Sequence, residues 1–229
     1  PYAIAEHAVA LLLALNRKIV VASSQVHQYN FLQDNLLGFD LNKKTVGIVG
    51  VGRIGAIMAK IMHGFGCTIL SNDLAPDPLL IKDYGIQYVD LEELLKKSDM
   101  VSLHVPLTHE THYLIDEIQL KAMKKGALLI NTARGAIVNT KALINALKKN
   151  EIAGYATDVY EKETGVFFKN HSSSGDIKDE LLKELLSLDT VLLTPHQAFV
   201  TKEALANIAD ITFYNIDCWA KGKESKNEL

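Results

Sequence analysis

The stretch Thr45–Asp73, TVGIVGVGRIGAIMAKIMHGFGCTILSND, constrains the fold more than any other part of the chain. Its apolar opening, Thr45–Val49, predicts a short strand. The glycine turn Gly50-Val51-Gly52-Arg53-Ile54-Gly55 follows, and then Ile57, Met58, Ile61 and Met62 recur at helical spacing. In such a strand–turn–helix unit the glycines have separate tasks. Gly50 permits the tight turn, Gly52 lets backbone approach a pyrophosphate, and Gly55 lets helix and strand pack closely. The unpaired N–H groups and the positive dipole end of the helix favour an anion there. A second strand, predicted at Cys67–Ser71, leads to Asp73, about 20 residues on, where an acid accepts hydrogen bonds from the adenosine ribose hydroxyls. Glycines alone make ordinary turns; in register with strand, helix, strand and acid they predict dinucleotide binding. A phosphate-loop nucleotidase needs Lys and then Ser or Thr after the last glycine, and Ala56-Ile57 stands there instead.

The rest of the chain repeats the alternation. After Pro76 and Pro78 the pattern predicts a helix at Leu79 to Tyr84, a strand at Ile86 to Val89 and an amphipathic helix at Leu91 to Lys97. A strand at Asp99 to Val105, a helix at Asp116 to Met123, a strand at Gly126 to Thr132 and a helix at Asn139 to Asn150 come next. Strands at Ile152 to Asp158 and Val191 to Thr194 complete the set, and an amphipathic helix is expected from Thr201 to Ala220. Strands alternating with helices imply an α/β fold, a parallel sheet covered on both faces, and right-handed crossovers make it doubly wound, a Rossmann-type domain. Residues 45–198 are its expected core within a dinucleotide-binding domain of 1–198.

Tyr2 to Val21 reads as a helix, apolar almost all round from Ala8 to Leu15 and too short in its apolar run to span a bilayer. Such a helix must be buried, in its own domain or against a partner subunit. His7 reads as a packing or hydrogen-bonding residue, Ala22 to Asn42 as a connection, and His171-Ser172-Ser173-Ser174-Gly175 as a flexible polar loop. At 229 residues, 48% of them hydrophobic, the chain can bury a sizeable core, and a formal charge of −3 with scattered lysines offers no basic footprint for nucleic acid. Two cysteines, Cys67 and Cys218, are too few for a disulfide framework and fit reduced thiols in a cytoplasmic protein. His109 and His112 are three residues apart where the zinc helix H-E-x-x-H needs four, so no metal is expected.

A doubly wound sheet binds ligands beyond the carboxyl ends of its strands. Val105-Pro106, Ala133-Arg134-Gly135, Asp158 and His196 stand there. Each has a bland alternative: Arg134 a surface ion-pair partner, Asp158 or Glu163 a helix cap, His196 one of eight histidines.

The sequence resembles the D-isomer-specific 2-hydroxyacid dehydrogenases. The resemblance is carried by Ala5-Glu6-His7, the glycine turn through Asp73, Leu103-His104-Val105-Pro106-Leu107-Thr108, Asn131-Thr132-Ala133-Arg134-Gly135, Gly154 to Glu163 (GYATDVYEKE) and Thr194-Pro195-His196-Gln197-Ala198-Phe199. Phe167-Phe168, the long polar insert before Leu193 and His196 to Phe199 resemble the D-lactate branch of the family most.

The resemblance implies NAD as cofactor, a small 2-keto or 2-hydroxy acid as substrate and a homodimer with residues 1–21 at its two-fold interface. It implies His196 as proton donor, Arg134 as the cation for the substrate carboxylate and carbonyl oxygen, and Glu163 as the carboxylate that favours the imidazolium of His196. Gly50, Gly52, Arg53, Ile54, Gly55, Asp73, Val105, Pro106, Thr132, Ala133, Arg134, Asp158 and His196 are the expected cofactor contacts, Asp158 orienting the nicotinamide carboxamide. The family builds a second, substrate domain from an N-terminal segment and the last helix. Residues 199–229 would return to that domain, whose N-terminal part is expected to be missing here, leaving these residues with little or no turnover. The same fold also serves as a regulatory NAD-binding module, which is the alternative reading.

Overall fold

The computed structural model describes residues 1–171, 177–225 and 227. Seven parallel strands form one sheet: β1 (Thr45–Val49), β2 (Thr68–Asn72), β3 (Gln87–Tyr88), β4 (Met100–Leu103), β5 (Leu128–Asn131), β6 (Gly154–Thr157) and β7 (Val191–Leu193). Their order, β3-β2-β1-β4-β5-β6-β7, runs outward from β1 in both directions. The chain therefore changes direction between β1 and β4, and a crevice opens at the carboxyl ends of those two strands.

Strand residues alternate between two cores, as the period-2 geometry of a pleated strand requires. Val46 and Ile48 of β1 join Ile69, Met100, Leu128 and Ile130 on one face, covered by α1 (Tyr2–Asn16) and α3 (Gly55–Gly64) through Leu12, Leu15, Met58 and Met62. Val49, Leu70, Val101, Leu103 and Leu129 face the other side. There α5 (Leu91–Lys97), α6 (Glu117–Ala122), α7 (Thr140–Lys148) and α8 (Glu180–Leu186) bring Leu94, Leu120, Leu143 and Leu185. The doubly wound Rossmann-type sheet expected from the alternation is the architecture observed. Side-chain caps punctuate it: Asp90 accepts from the Glu93 N–H at α5, Asn139 from the Ala142 N–H at α7 and Asp179 from the Leu181 N–H at α8.

Three elements differ from expectation. The helix expected over Tyr2 to Val21 ends at Asn16, because Lys18 turns left-handed (φ 52°), and a second helix, α2 (Ile19–His27), takes its last three residues and runs on into residues read as a connection. Its sequence, IVVASSQVH, has no apolar stripe, and it buries none of its residues. The apolar excess expected on α1 is absorbed by the sheet: Ala5, Ala8, Val9, Leu11, Leu12 and Leu15 are all buried. Exposed apolar side chains follow it instead, at Ile19, Val20, Val26, Tyr29, Phe31, Leu32 and Leu37. Finally, α8 lies in what reads as a polar insert. Of the polar loop expected at residues 171–175, only His171 is described, its Nε2 2.9 Å from the Val166 carbonyl oxygen; the remainder lies outside the described residues. Beyond the sheet, α4 (Pro78–Tyr84) packs beside α3, and α9 (Lys202–Ala220) forms the expected amphipathic helix while burying none of its residues. Among the described residues no helix is long and apolar enough to cross a membrane.

Candidate functional site

Two glycines of the turn are required by its geometry. Gly50 is left-handed (φ 88°), and a Cβ on it would come within 2.8 Å of the Val105 side chain and 3.0 Å of the His104 carbonyl. A Cβ on Gly55 would lie 2.0 Å from the Gly50 carbonyl oxygen, so the helix can approach the strand only without one. Gly52 differs: a Cβ there would meet nothing within 4 Å. Open space over Gly52, at the start of a helix whose first turn no side chain caps, is where a diphosphate fits. Arg53 is exposed and Ile54 half-buried beside it. Asp73, just past β2, accepts from the Val51 N–H at 2.7 Å and the Ala75 N–H at 2.9 Å, which ties the acid to the turn.

Across the crevice, half-buried Val105 and exposed Pro106 follow β4. The Thr111 hydroxyl donates to the Pro106 carbonyl at 2.6 Å and holds that loop. Next to it, His104 Nε2 lies 2.9 Å from the Ser102 hydroxyl, and burial pushes its pKa down to about 4, keeping the ring neutral. Beyond β5, Asn131 clamps the following residues, donating to the Arg134 carbonyl at 2.9 Å and accepting from the Ala133 N–H at 3.0 Å. Gly135 lets this loop press on the chain after β6, since a Cβ there would fall 2.0 Å from the Tyr160 carbonyl carbon. Arg134 itself is exposed, and the buried Thr132 hydroxyl has no hydrogen-bond partner. A buried orphan hydroxyl at the rim of an open turn also fits a cofactor that supplies the partner.

His196 and Glu163 meet after β7. His196 Nδ1 lies 2.8 Å from Glu163 Oε2, and Glu163 Oε1 accepts from the Tyr160 N–H at 2.9 Å, so the carboxylate is held at both oxygens. The imidazole stands between two aromatic rings, with centroids 5.9 Å from Phe168 and 6.4 Å from Phe199. His196 is left-handed (φ 56°), which costs a residue with a Cβ on the order of 1 kcal/mol. Asp158 accounts for that conformation. Its Oδ1 accepts from the Gln197 N–H at 2.9 Å and its Oδ2 from the Ala198 N–H at 2.7 Å, the two amides directly after His196. Successive N–H groups beside a left-handed residue form a concave nest for an anion, and here the anion is a side chain. Burial opposes ionisation of Asp158, but the hydrogen bonds from His7, Thr194, Gln197 and Ala198 outweigh it and hold its carboxyl below the ordinary range.

The candidates after β1, β2, β4, β5, β6 and β7 thus gather at one edge of the sheet. The bland alternatives for Asp158 and Glu163 fail, because neither caps a helix; each holds the His196 region. Sequence reasoning left His7 outside the site. Its Nε2 is 3.0 Å from the Thr194 hydroxyl and 3.4 Å from Asp158 Oδ1, so it does hydrogen-bond, but to the end of β7, 187 residues away. It also left out Tyr160, whose hydroxyl donates to Asp179 at 2.9 Å. Among the described residues no three His, Cys, Asp or Glu side chains come together in a metal-ligating group.

Residues 9–198 match the family model of the D-isomer specific 2-hydroxyacid dehydrogenase, NAD binding domain. The chain is 46% identical over 230 residues to a 2-hydroxyacid dehydrogenase homolog of Zymomonas mobilis, covering 100% of this chain and 69% of that protein. It is 48% identical over 230 residues to a D-lactate dehydrogenase of Curvularia clavata, covering 100% of this chain and 65% of that one. The crystal structure of D-lactate dehydrogenase with NAD+ from Lactobacillus jensenii superposes with a TM-score of 0.88 at 36% identity, over 99% of this chain and 68% of its own. The chain spans about two thirds of the length of these relatives.

Proposed function

The chain belongs to the D-isomer-specific 2-hydroxyacid dehydrogenase family, whose NAD-binding domain it carries, and from that premise we propose that it interconverts a small D-2-hydroxy acid and its 2-keto acid, with D-lactate and pyruvate as the pair. The observation that carries the reading is the His196–Glu163 pair at 2.8 Å, on the same sheet edge as exposed Arg134 and the open glycine turn. The regulatory-module alternative needs no such pair.

Each residue has a defined task. NAD(H), when bound, supplies the hydride in reduction or takes it up in oxidation. Gly50, Gly52, Arg53, Ile54 and Gly55 line the diphosphate, Asp73 takes the ribose hydroxyls, and Val105, Pro106, Thr132 and Ala133 lie along the cofactor. Asp158 Oδ2, with one protein donor, keeps a lone pair for a carboxamide N–H. Arg134 offers the fork of donors that matches a carboxylate and an adjacent carbonyl. With Nδ1 committed to Glu163, His196 presents Nε2 to the substrate. In reduction the Nε2 proton goes to the carbonyl oxygen; in oxidation Nε2 accepts the proton from the hydroxyl. Glu163 fixes the ring through Nδ1.

Arg134 is exposed in this chain, and aligning donor and carbonyl can be worth ~7 kcal/mol or more of barrier. The 229 residues taken alone are therefore expected to bind NADH while reducing pyruvate slowly. We assign α9, with its exposed Leu205, Ile208 and Phe213, to contacts with a substrate domain, and the exposed side chains Ile19 to Leu37 to a homodimer. The two free cysteines suit a cytoplasmic setting. The deciding experiment follows NADH loss on adding pyruvate to the complete protein, with Arg134→Lys and Glu163→Gln as controls. Wild-type turnover that both substitutions lower sustains the assignment. An inert wild type that still binds NADH would favour the regulatory module.

A further inference from the structure

We propose that His7, on the first helix, is a positioning residue for proton transfer: through Thr194 and Asp158 it fixes the turn that carries His196. The inference rests on the dehydrogenase reading above and adds to it a residue distant in sequence.

The hydrogen-bond directions follow from proton counting. Asp158 is ionised and only accepts, so the Thr194 hydroxyl spends its single proton on Asp158 Oδ1, at 2.5 Å. The Thr194 oxygen must then accept at its 3.0 Å contact with His7. That assigns the proton of His7 to Nε2, and the 3.4 Å separation from Asp158 Oδ1 lets the same N–H lean on the carboxylate. A directed chain results, from His7 through Thr194 to Asp158, whose two oxygens collect the N–H groups of Gln197 and Ala198. Those bonds hold the left-handed His196 in place, and the His196 N–H closes the turn on the Thr194 carbonyl at 3.0 Å.

A purely structural role for His7 explains less. The helix is already anchored by Ala5, Ala8, Leu11, Leu12 and Leu15, so it needs no polar tie to stay on the sheet. Yet the His7 ring is hydrogen-bonded to the residue two before His196. An apolar residue at position 7 would leave the Thr194 oxygen without its donor and Asp158 with one fewer. The turn could then relax toward a right-handed His196, with the imidazole swung off Glu163.

The test pairs kinetics with a direct view of His196. In the complete protein, His7→Phe keeps bulk but removes the donor, and kcat for pyruvate reduction should fall about two- to tenfold, the worth of one neutral hydrogen bond. The KM for NADH should move less than about threefold, within the spread expected when cofactor contacts stay intact. His7→Gln, which returns an N–H near the Nε2 position, should recover most of the loss. Thr194→Val should match His7→Phe, and the double variant should be no worse than either, because the three residues act as one chain. It also serves if His7→Phe does not fold. Nitrogen-15 NMR of labelled imidazoles, with the His196 signals assigned by His196→Asn, should show the Nδ1–H bond to Glu163 weakened in His7→Phe and restored in His7→Gln. Unchanged kcat and unchanged His196 signals would overturn the proposal. So would an effect confined to the KM for NADH, which would put His7 with the cofactor instead. If wild type reduces no 2-keto acid, the dehydrogenase reading fails, while the NMR comparison still decides whether His7 sets His196.

Discussion

Two glycines three residues apart should respond in opposite ways to the same added methyl group. At Gly55 a Cβ would lie 2.0 Å from the Gly50 carbonyl oxygen, and that atom is backbone, so α3 must lift off β1. Overpacking of this kind costs typically 1–3 kcal/mol, and a backbone obstacle belongs at the upper end, about 3 kcal/mol. For a chain of this size each kcal/mol shifts Tm by about 2–4 °C, so Gly55→Ala should lower Tm by about 6–12 °C. At Gly52 the methyl meets nothing within 4 Å, and Gly52→Ala should leave Tm within about 4 °C of wild type. In the proposed function, however, the empty space over Gly52 takes the diphosphate. A methyl there displaces the anion from one charge-assisted hydrogen bond, about 1.5–3 kcal/mol, which weakens NADH binding about 10- to 150-fold. Thermal melts and calorimetric NADH titrations of both variants separate the effects. Gly52→Ala binding NADH as tightly as wild type would refute the placement of the diphosphate. Gly55→Ala melting with wild type would refute the packing argument.

Asp73→Ala should narrow the preference for NADH over NADPH in paired titrations, because in the proposed function its carboxylate accepts from ribose hydroxyls and repels a 2′-phosphate; equal affinity for both cofactors in wild type would sink this. With His196 as the proposed proton carrier, pyruvate reduction should slow as pH rises and D-lactate oxidation as pH falls, read from rate–pH profiles in both directions, and Glu163→Gln, which loses the carboxylate that fixes the ring, should lower both rates. His104, with its pKa lowered to about 4, stays neutral in the fold while the unfolded chain takes a proton near ~6.5, so urea unfolding should show stability falling from about pH 6.5 to 4, a slope that His104→Gln should reduce. Asp158 has a depressed pKa, so its stabilisation is complete above the ordinary carboxylate range and lost as pH falls through its folded value. Asp158→Asn should cost about 1–3 kcal/mol at neutral pH, read by the same unfolding, by turning its amide donor toward one of the Gln197 and Ala198 N–H groups.

The parts of the fold legible in the sequence are those set by short-range spacing. The glycine turn, β1 and Asp73 fall within 29 residues, and the structure shows the tight turn at Gly50 and the close helix packing at Gly55 that their spacing predicts. The helices α5 and α7 carry an Asp or Asn cap and a periodic apolar face, so their extents fall within about two residues of expectation, the usual uncertainty at helix ends. By contrast, α2 has neither cap nor stripe, and local pattern gives it no signature. The helix α8 was readable in principle. Asp179 caps it, and Leu182 and Leu185 mark its buried face, but the polar run before it masks the start.

The site divides along the same line, and the division is physical. A strand end marks a residue as near the ligand edge, which is how Arg134, Asp158 and His196 declare themselves. What each does there depends on partners that folding supplies. Glu163 looks like a cap until the chain after β6 folds back and brings it 2.8 Å from His196. Asp158 looks like a cofactor ligand, yet most of its accepting capacity goes to the turn behind His196. His7 lies on a helix whose composition speaks only of burial. Its meaning rests on a contact across 187 residues of chain, which no local pattern encodes. A left-handed residue with a Cβ persists only where its surroundings over-determine it. At His196 those surroundings come from α1, β6, β7 and the chain after β6 together. The orientation of one imidazole is therefore a property of the assembled sheet edge, and substitutions well outside the strand-end motifs can alter it.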